Sequence, residues 1–318
     1  MSRSFLSTVL SAVLLTIVVC FSTTAFAQPA TSLDPSVADL LKKMSEKSRQ
    51  INYEGIFTYQ HKDNPSLQTF RVLHWHEGDV TYDRLQHLNG PEREISRKGA
   101  ANDCESIGDK LRQGKMAVIG DIVSQMTDYH FELRNKERIA GRVATVLLAV
   151  PKDQFRYSYF FSIDDETGLI LEVWLVDEKA HAMERYQFME LNLNPDLAKI
   201  SKIPPANIHK TLPPKSNCVT QQQPANWQLA WVPSGFTFAG EGQPRENLEM
   251  LMFTDGLATF SVFIEPAAST IPEGVAQRGA TLAMMTGIKF QGQIFRITVV
   301  GEIPVVTAQR IVQGISHR

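Results

Sequence analysis

The sequence lacks the motifs by which most enzyme classes are identified. Its 318 residues contain no Gly-x-Ser-x-Gly elbow, no His-Glu-x-x-His pair and no glycine-rich phosphate loop. Only three cysteines are present, and none forms a motif with a nearby base that would activate it as a nucleophile. We therefore expect a binding protein rather than an enzyme, with no catalytic residues and no cofactor.

An excess of basic charge is also missing. The chain has 32 Lys and Arg residues against 34 Asp and Glu residues, and its formal net charge is −2. Proteins that bind nucleic acid through its phosphates usually carry a basic surface, so nucleic acid is not an expected partner. Basic residues that could form local patches are Arg93, Arg97 and Lys98, and Arg134, Lys136 and Arg138.

Long apolar runs are absent beyond the first 27 residues. Arg3 gives a positive start, residues 9–19 are apolar, and Ala25 and Ala27 frame a small-x-small cleavage site. This pattern is typical of a secretory signal peptide, because its apolar run is shorter than the about 20 residues that a membrane-spanning helix needs. We expect export and cleavage after Ala27. Without Arg3, 31 basic residues would remain against 34 acidic ones, a net charge of −3.

Two cysteines remain after the signal peptide, Cys104 and Cys218. In an oxidising compartment such a pair can form a disulfide, and closing so long a loop would stabilise the fold by about 4 kcal/mol through chain entropy. Two free thiols are the alternative, because pairing does not follow from sequence. Two distant cysteines without clustered histidines do not predict a metal site.

Hydrophobic periodicity divides the first part of the chain into one helix and many strands. Apolar residues recur at helical spacing over residues 35–49, with Asp34 as the N-cap and Pro35 at the first helical position. A period of two then predicts strands joined by short turns. These strands cover residues 53–59, 69–75, 80–88, 93–97, 131–139, 143–150, 156–163, 169–176 and 184–192. Residues 116–127 are a further helix candidate.

A long antiparallel meander can bury one face by curling around amphipathic helices. The predicted fold class is therefore α+β, with an N-terminal antiparallel half-barrel wrapped on helices. The expected inner face is aromatic and contains Tyr53, Phe57, Tyr59, Trp75, Tyr157, Tyr159, Phe161 and Trp174. Alternation does not decide whether this face is a solid core or leaves a cavity for an apolar ligand.

The length of about 290 residues after cleavage favours two domains. Repeated prolines and glutamines over residues 204–226 predict a semi-rigid linker. The expected order is a signal peptide (1–27), a first domain (33–203), this linker, and a small α+β domain (227–318). Strands of the second domain are predicted at 227–231, 249–254, 258–265, 280–285 and 294–301, and a helix follows Pro304.

Two histidines could be metal ligands. His74 and His76 share one face of a predicted strand, and a third ligand such as His61 or His87 would complete a zinc site. A solvated outer face is the favoured interpretation, because alternation places both histidines opposite Leu73.

One acidic cluster also has two interpretations. Asp164, Asp165 and Glu166 could form an acid/base pair or a calcium loop. An acidic hairpin turn is favoured instead, because Gly168 follows and predicted strands lie on either side.

Several short motifs occur in the order that is typical of the RseB/MucB family. In the C-terminal part they are Trp231-Val-Pro-Ser-Gly-Phe236, Thr254-Asp-Gly-Leu257 followed by Phe260-Ser-Val262, and Gly301-Glu-Ile-Pro304. In the N-terminal part they are Asn52-Tyr-Glu-Gly55, Leu88-Asn-Gly-Pro-Glu-Arg-Glu94 and Arg156-Tyr-Ser-Tyr159. The mature chain resembles this family over nearly its whole length. Residues 110–129 are shortened and recast, so contacts of that segment are not carried over.

The resemblance implies a periplasmic negative regulator of an extracytoplasmic-stress sigma factor, with an N-terminal domain similar in fold to periplasmic lipoprotein carriers. Members of the family bind the periplasmic part of a single-span anti-sigma factor and shield it from site-1 proteolysis. Lipopolysaccharide or mislocalised lipoprotein is the expected release signal. The regulator function is thus implied by the family and not by any catalytic pattern.

Site residues follow from this resemblance. The small domain and the interdomain surface are the expected partner site, with Trp231, Phe236 and Phe253 as the residues to test, although the same aromatics could be domain core. The expected lipid-facing residues of the inner sheet are Tyr53, Phe57, Tyr59, Trp75, Tyr159 and Trp174. A periplasmic lipid or lipoprotein carrier is the alternative function that the half-barrel alone supports. Formation of a homo-oligomer is left open.

Overall fold

The computed structural model describes residues 34–46, 50–78, 80–100, 127–200, 209–212 and 226–318. The helices are α1 (Pro35–Glu46), α2 (Leu197–Ile200) and α3 (Val305–Gln313). The strands are β1 (Tyr53–His61), β2 (Asn64–Glu77), β3 (Val80–His87), β4 (Glu94–Ala100), β5 (Tyr129–Ile139), β6 (Arg142–Pro151), β7 (Ser158–Asp164), β8 (Ile170–Val176), β9 (Ala182–Asn192), β10 (His209–Leu212), β11 (Trp227–Leu229), β12 (Thr237–Arg245), β13 (Leu248–Thr254), β14 (Thr259–Ala267), β15 (Gly274–Arg278), β16 (Thr281–Phe290), β17 (Gln293–Gly301) and β18 (Ile315–His317). None of the helices in these ranges combines the length and apolar character needed to cross a bilayer.

Helix α1 begins as its capping residues predict. The Asp34 carboxylate accepts a hydrogen bond from the Ser36 N–H at 2.8 Å, which satisfies one of the free donors at the helix start. Pro35 is the first helical residue, where its missing N–H costs no hydrogen bond. The predicted N-cap of this helix is confirmed.

Strands β1 to β10 form one sheet in the order β10-β4-β3-β2-β1-β9-β8-β7-β6-β5. The first four strands run outward from the middle of the sheet. The next five begin at the opposite edge and return, so that β9 pairs with β1. All neighbours are antiparallel except the edge strand β10, which is parallel to β4. The predicted antiparallel meander is thus two meanders joined in the middle.

One face of this sheet packs against α1. Three helix residues that are four or three positions apart, Val37, Leu41 and Met44, are buried in a shared cluster. From the sheet, the cluster includes Tyr129, Phe131, Leu147, Tyr157, Tyr159, Phe161, Ile163 and Leu175. Tyr159 and Phe161 are 2% and 1% exposed, so the inner face beside the helix is packed core.

Register places four of the six predicted lipid-facing residues on this inner face. Tyr59 pairs directly with Tyr186, which pairs with Val173, and side chains paired directly across antiparallel strands share a face. Val173 in turn pairs with Phe161, two residues from Tyr159. Alternation along β1 adds Tyr53 and Phe57 to the same side. A lipid-facing role for these residues stays a prediction.

The other two residues of that set, both tryptophans, lie on the opposite face, so the prediction is wrong for them. Tyr53 pairs directly with His74, and the next residue, Trp75, therefore projects from the other side. There Trp75 stacks on Tyr82 with ring centroids 4.9 Å apart and packs near Leu197 of α2. The segment after β9 thus buries this tryptophan on the outer face.

Trp174 also lies on the outer face of the sheet instead of the predicted inner face. It pairs directly with Phe160, whereas Tyr159 pairs with Leu175. Arg185 covers the indole, with its guanidinium carbon 4.4 Å from the ring centroid. Alternation along single strands cannot fix which faces coincide, because a shift of one residue in the pairing register exchanges them.

The histidine motif is also placed differently from the prediction. His74 lies on the face of Tyr53, stacks on its ring at 5.1 Å and donates a hydrogen bond from Nδ1 to the Asp83 carboxylate at 2.7 Å. Its side chain is 14% exposed, so the solvated outer face predicted for it is wrong. Among the described residues, no group of three or more His, Cys, Asp or Glu side chains is arranged to hold a metal ion.

The acidic segment after β7 is a hairpin turn, as predicted. Asp164 accepts hydrogen bonds from the N–H groups of Glu166 and Thr167 at 3.1 and 2.7 Å. Gly168 then adopts φ +77°, a left-handed conformation that glycine accepts without strain. Arg142 pairs with Asp164 and Glu166, which compensates the local negative charge.

The C-terminal part forms a six-stranded antiparallel sheet in the order β12-β13-β14-β17-β16-β15. Helix α3 packs on one face, and its Ala308 and Ile311 are buried with Phe260 and Val299 of the sheet. A short ribbon of β11 and β18 adds Trp227 to the same cluster. The predicted α+β fold class and the smaller second sheet with a C-terminal helix are confirmed.

One part of the predicted linker is not a linker. Residues 209–212 form β10, whose His209 and Leu212 pair with Glu94 and Arg97 of β4. A short edge strand with little apolar pattern gives no periodic signal, which is why it was not predicted. The predicted helix 116–127 and the cysteines Cys104 and Cys218 lie outside the described residues.

Candidate functional site

Turns of the six-stranded sheet lie directly against the ten-stranded sheet, and we call this contact the seam. Its apolar part is continuous with the core under α1, because Leu257 and Ala280 are buried in the same cluster as Tyr129 and Tyr159. Three sets of polar contacts surround this part. In the seam, residues of both sheets combine, and it includes the predicted partner-site residue Trp231.

The first set is centred on a buried carboxylate, Asp255, in the turn between β13 and β14. Its Oδ1 accepts hydrogen bonds from the N–H groups of Leu257 and Ala258 at 2.9 and 2.7 Å, which fixes the turn. Its Oδ2 accepts from Tyr129 Oη at 3.0 Å and from Arg156 Nη1 at 2.7 Å. One oxygen therefore holds its own turn, and the other binds the opposite sheet.

Arg156 completes this network from the ten-stranded sheet. Its guanidinium also donates to the Asp153 carboxylate, with Nη2–Oδ2 at 3.0 Å, and to the carbonyl of Ser234. The guanidinium carbon lies 5.4 Å from the ring centroid of Tyr129 and 5.1 Å from that of Phe236. Aromatic faces attract a cation, so these rings stabilise a charge that is out of contact with water.

Burial shapes the ionisation of this network. It raises the pKa of Asp255 above its ordinary value, against the opposing effects of Arg156 and of two backbone N–H groups. Burial would lower the pKa of Arg156, but Asp255, Tyr129 and Asp153 together outweigh it and the pKa is raised. Burial and Asp255 together raise the pKa of Tyr129. Arg156 thus stays a cation, and Tyr129 stays a hydrogen-bond donor.

The second set joins side chains of the first sheet to backbone carbonyls of the second. Tyr157 Oη donates to the carbonyl of Ile303 at 3.2 Å, and Tyr159 Oη donates to that of Leu257 at 3.3 Å. In the reverse direction, Thr307 Oγ1 of α3 donates to the carbonyl of Phe155 at 2.8 Å. These contacts satisfy buried carbonyls that a docked turn would otherwise leave unpaired.

The third set holds the turn between β15 and β16. Asp63 accepts from the Gly279 N–H at 2.6 Å, and Glu184 accepts from the Ala280 N–H at 2.8 Å. Arg278 Nε donates to His61 Nε2 at 3.2 Å. Gly279 is required here, because its φ is +59° and a Cβ would lie 2.5 Å from Glu184 Oε1.

The outer margin of the seam carries an aromatic cluster that is open to solvent. Trp231, before β12, meets Phe155 of the β6–β7 connection with ring centroids 5.0 Å apart. The guanidinium carbon of Arg310, on α3, lies 4.2 Å from the Trp231 centroid and 5.4 Å from the Phe155 centroid. We call Phe155, Trp231 and Arg310 the rim cluster.

The three residues predicted for partner binding therefore occupy different environments. Trp231 is half-buried in the rim cluster. Phe236 is 5% exposed beneath Arg156, and Phe253 is 8% exposed and stacks on Phe260 with centroids 5.0 Å apart. A direct partner contact by Phe236 or Phe253 stays a prediction, and in the isolated chain both are core.

Sequence reasoning missed Arg156 and Asp255 as a pair. Both residues occur in quoted motifs, Arg156 before β7 and Asp255 in an Asp-Gly turn. Each motif has a local explanation, a strand start and a hairpin turn. Nothing local indicates that residues 99 positions apart meet.

The fold and the seam define a protein in which a buried ion pair joins two large sheets. Residues 36–207 match the family described as MucB/RseB N-terminal domain, and residues 221–316 match the MucB/RseB C-terminal domain. The chain belongs to the MucB/RseB family.

Relatives in this family are similar over nearly their full length. The sigma factor AlgU regulatory protein MucB of Pseudomonas aeruginosa is 32% identical over 300 residues, which cover 91% of this chain and 93% of the relative. The sigma-E factor regulatory protein RseB of Haemophilus influenzae is 29% identical over 308 residues, and that of Escherichia coli K12 is 26% identical over 313. The similarity thus includes both sheets.

Solved structures give the same result. A crystal structure of MucB in complex with MucA(peri) has a TM-score of 0.70 and 30% identity, and the match covers 88% of this chain and 98% of that one. The complex structure of Pseudomonas aeruginosa MucA/MucB has a TM-score of 0.72 and 29% identity, with 89% and 99% covered. The matched part of this chain therefore extends over both large sheets.

Proposed function

We propose that this protein binds the periplasmic part of a membrane-spanning anti-sigma factor and thereby restrains an envelope-stress sigma factor. One observation carries the proposal: the chain aligns over 88% of its length with a MucB that was crystallised in complex with MucA(peri). Relatives that share both sheets are named as sigma factor regulatory proteins. The chemistry of such a function is binding, which needs surfaces and no reacting group.

The proposed partner surface is the seam margin, with Trp231 as the contact residue. Binding energy in protein interfaces is concentrated in a few aromatic and arginine side chains, and the rim cluster offers both types. Phe236 and Phe253 contribute from the interior, because they support the turns that carry this margin. Both sheets supply the surface, so a change in their packing would alter partner affinity.

Protection of the anti-sigma factor from site-1 proteolysis follows from occupancy. A protease needs access to its substrate segment, and a segment held on the seam margin would be covered. The site of action proposed for this chain is the periplasm, after cleavage of the signal peptide at Ala27.

The proposed release signal is lipopolysaccharide or a mislocalised lipoprotein. Tyr53, Phe57 and Tyr59 are half-buried on the inner face, beyond the packed core at Tyr159, and could contact an acyl chain. Such a ligand would weaken partner binding only if it binds a rearranged state more tightly than the partner-binding state.

A lipid or lipoprotein carrier is the less supported alternative. A carrier would need only the ten-stranded sheet. In this chain Leu257 and Ala280 of the second sheet complete the core under α1. Turns of the second sheet thus complete the core of the first, which favours a function that uses both.

The deciding experiment uses the mature chain, residues 28–318, and the periplasmic segment of the anti-sigma factor from the same organism. Titration calorimetry should show that one chain binds one segment, and site-1 protease should cleave the bound segment more slowly than the free segment. Binding without protection would remove the protective part of the proposal. Absence of binding would overturn it and leave the carrier alternative, for which co-purified lipid is the measurement.

A further inference from the structure

Arg310 is held by aromatic contacts, with no counter-ion among the residues that the structure describes. It is exposed on α3, and its guanidinium carbon is 4.2 Å from the Trp231 centroid. Among the described residues, no carboxylate forms an ion pair with it. Arg156, at the same seam, pairs with Asp153 and Asp255. Of the described residues at this margin, Arg156 therefore has its charge compensated internally, whereas Arg310 does not.

Aromatic contacts orient a guanidinium for one kind of ligand. Stacking engages the flat face of the group and leaves its N–H donors, which form a planar fork, for an acceptor. A carboxylate matches that fork with two parallel hydrogen bonds. The contacts to Trp231 and Phe155 also restrict the Arg310 side chain before a ligand arrives, which lowers the entropy cost of binding.

An apolar residue adjoins this cation. Val306 lies four residues before Arg310 on α3, so both occupy the same side of the helix. Val306 is 39% exposed, so its apolar side chain is accessible beside the guanidinium. Helix α3 has no acidic residue in its first turn, and its sequence from 305 to 313 contains none at all. The surface therefore offers one positive charge beside apolar area.

We propose that the rim cluster is a carboxylate-binding site, and that its ligand is an Asp or Glu side chain, flanked by an apolar residue, in the anti-sigma segment. The proposal rests on the proposed function and names the contact that this function uses. A single guanidinium neutralises one unit charge, which fits a carboxylate better than a phosphate group with nearly two. The exposed side chain of Val306 would contact the apolar residue that flanks this Asp or Glu.

The location of the site gives it a second property. Phe155 lies in the β6–β7 connection of the ten-stranded sheet, whereas Trp231 and Arg310 belong to the C-terminal part. Arg310 contacts both aromatic rings only in the arrangement of sheets described above. The carboxylate site is thus complete only when the seam is closed, and partner binding favours the closed state by linkage.

The test compares Arg310→Gln with a matched exposed arginine, Arg134→Gln on β5, whose side chain is 52% exposed. Titration calorimetry of the mature chain with the anti-sigma segment should show a Kd raised about 10- to 30-fold for Arg310→Gln, the range for an interface arginine. Arg310→Lys keeps the charge but not the fork, and should raise the Kd about 3- to 10-fold. Arg134→Gln should stay within about twofold, as expected of a charge outside the interface.

The ligand is identified by changing each Asp and Glu of the segment to Asn or Gln in turn. One position should weaken binding to the wild-type protein but have no further effect on Arg310→Gln, which is the result of a direct pair. Wild-type affinity for Arg310→Gln, or an equal loss at that acidic position in both proteins, would overturn the proposal while the regulator function survives. Failure of the wild-type chain to bind the segment at all would instead overturn the proposed function.

Discussion

Arg156 and Asp255 form an ion pair across the seam, with Nη1 and Oδ2 2.7 Å apart and with side chains that are 0% and 3% exposed. Arg156 lies in a connection of the ten-stranded sheet, and Asp255 lies in a turn of the six-stranded sheet. Separation of the two sheets would therefore break this ion pair. Water would compensate both charges once the seam opened fully. A partly opened seam would leave them dry and separated, which is the costly state.

This geometry predicts that Asp255→Ala is strongly destabilising. Arg156 would keep its ion pair with Asp153, which is partly exposed, but would lose its buried counter-ion. The substitution would also leave the Tyr129 hydroxyl without its acceptor. Removal of one partner from a buried pair costs about 3 kcal/mol or more. The free energy of unfolding in urea measures this loss.

The matched control is Glu166→Ala, which also removes a carboxylate from an arginine ion pair. Its side chain is 80% exposed, and such surface pairs contribute about 1 kcal/mol at most. Equal losses for the two variants would mean that the seam pair contributes no more than a surface pair.

Gly279→Ala is expected to weaken the third set of seam contacts. Gly78 has nearly the same backbone, φ +60° against +59°, but a Cβ there would meet nothing within 4 Å. Gly78→Ala should therefore cost about 1 to 2 kcal/mol from the left-handed backbone alone. Gly279→Ala should cost about 1 to 3 kcal/mol more, because its Cβ would displace Glu184 from the Ala280 N–H.

Urea unfolding of both variants measures the difference. Hydrogen exchange at the Ala280 amide should also increase in Gly279→Ala and stay unchanged in Gly78→Ala. Equal losses of unfolding free energy in the two variants would contradict the expected clash between a Cβ at position 279 and Glu184.

Local elements of this fold could be predicted from sequence because their signals are local. The Asp34 cap and the period of α1 predicted the first helix, and alternation with turn residues predicted most strands. The acidic turn at Asp164 was predicted by the Gly168 that follows it. In each case a few neighbouring residues contain the physical reason.

Features that depend on pairing between distant segments could not be predicted. The faces of Trp75 and Trp174 follow from register, which one residue of shift would reverse. The parallel edge strand β10 is only four residues long, which is too short for an alternating pattern of side chains to indicate a strand. The Arg156–Asp255 pair depends on how the two sheets dock.

Asp164 should make stability depend on acidity. Burial would raise the pKa of this carboxyl, but hydrogen bonds from Arg142 and Thr167 outweigh it and hold the pKa below the ordinary value of 3.8. Because the folded pKa is the lower one, the unfolded chain binds the proton first as the pH falls. The stabilisation is present above pH 3.8 and is lost as the pH decreases through the folded pKa.

The measurement is the free energy of unfolding of wild type and Asp164→Asn between pH 7 and pH 2. The wild type should be more stable at neutral pH, and the difference should shrink below pH 3.8. Asp39→Asn, an exposed carboxylate on α1, controls for the general loss of one negative charge. A difference that stays constant over the whole range would contradict the assignment to Asp164.

Two of the predicted partner residues, Trp231 and Phe253, should separate into a contact residue and a supporting residue. Trp231→Ala removes a half-buried ring from the rim cluster, and we expect the affinity for the anti-sigma segment to fall about tenfold or more, as for an aromatic hot spot. Phe253→Leu changes a buried ring that stacks on Phe260, and we expect a stability loss of about 1.5 kcal/mol with affinity within about twofold. Calorimetric titration at a temperature where both variants are folded, combined with urea unfolding, distinguishes the two effects. A folded Phe253→Leu variant that binds as weakly as Trp231→Ala would show that partner binding depends on the core of the second sheet. That result would contradict the seam margin as the contact surface.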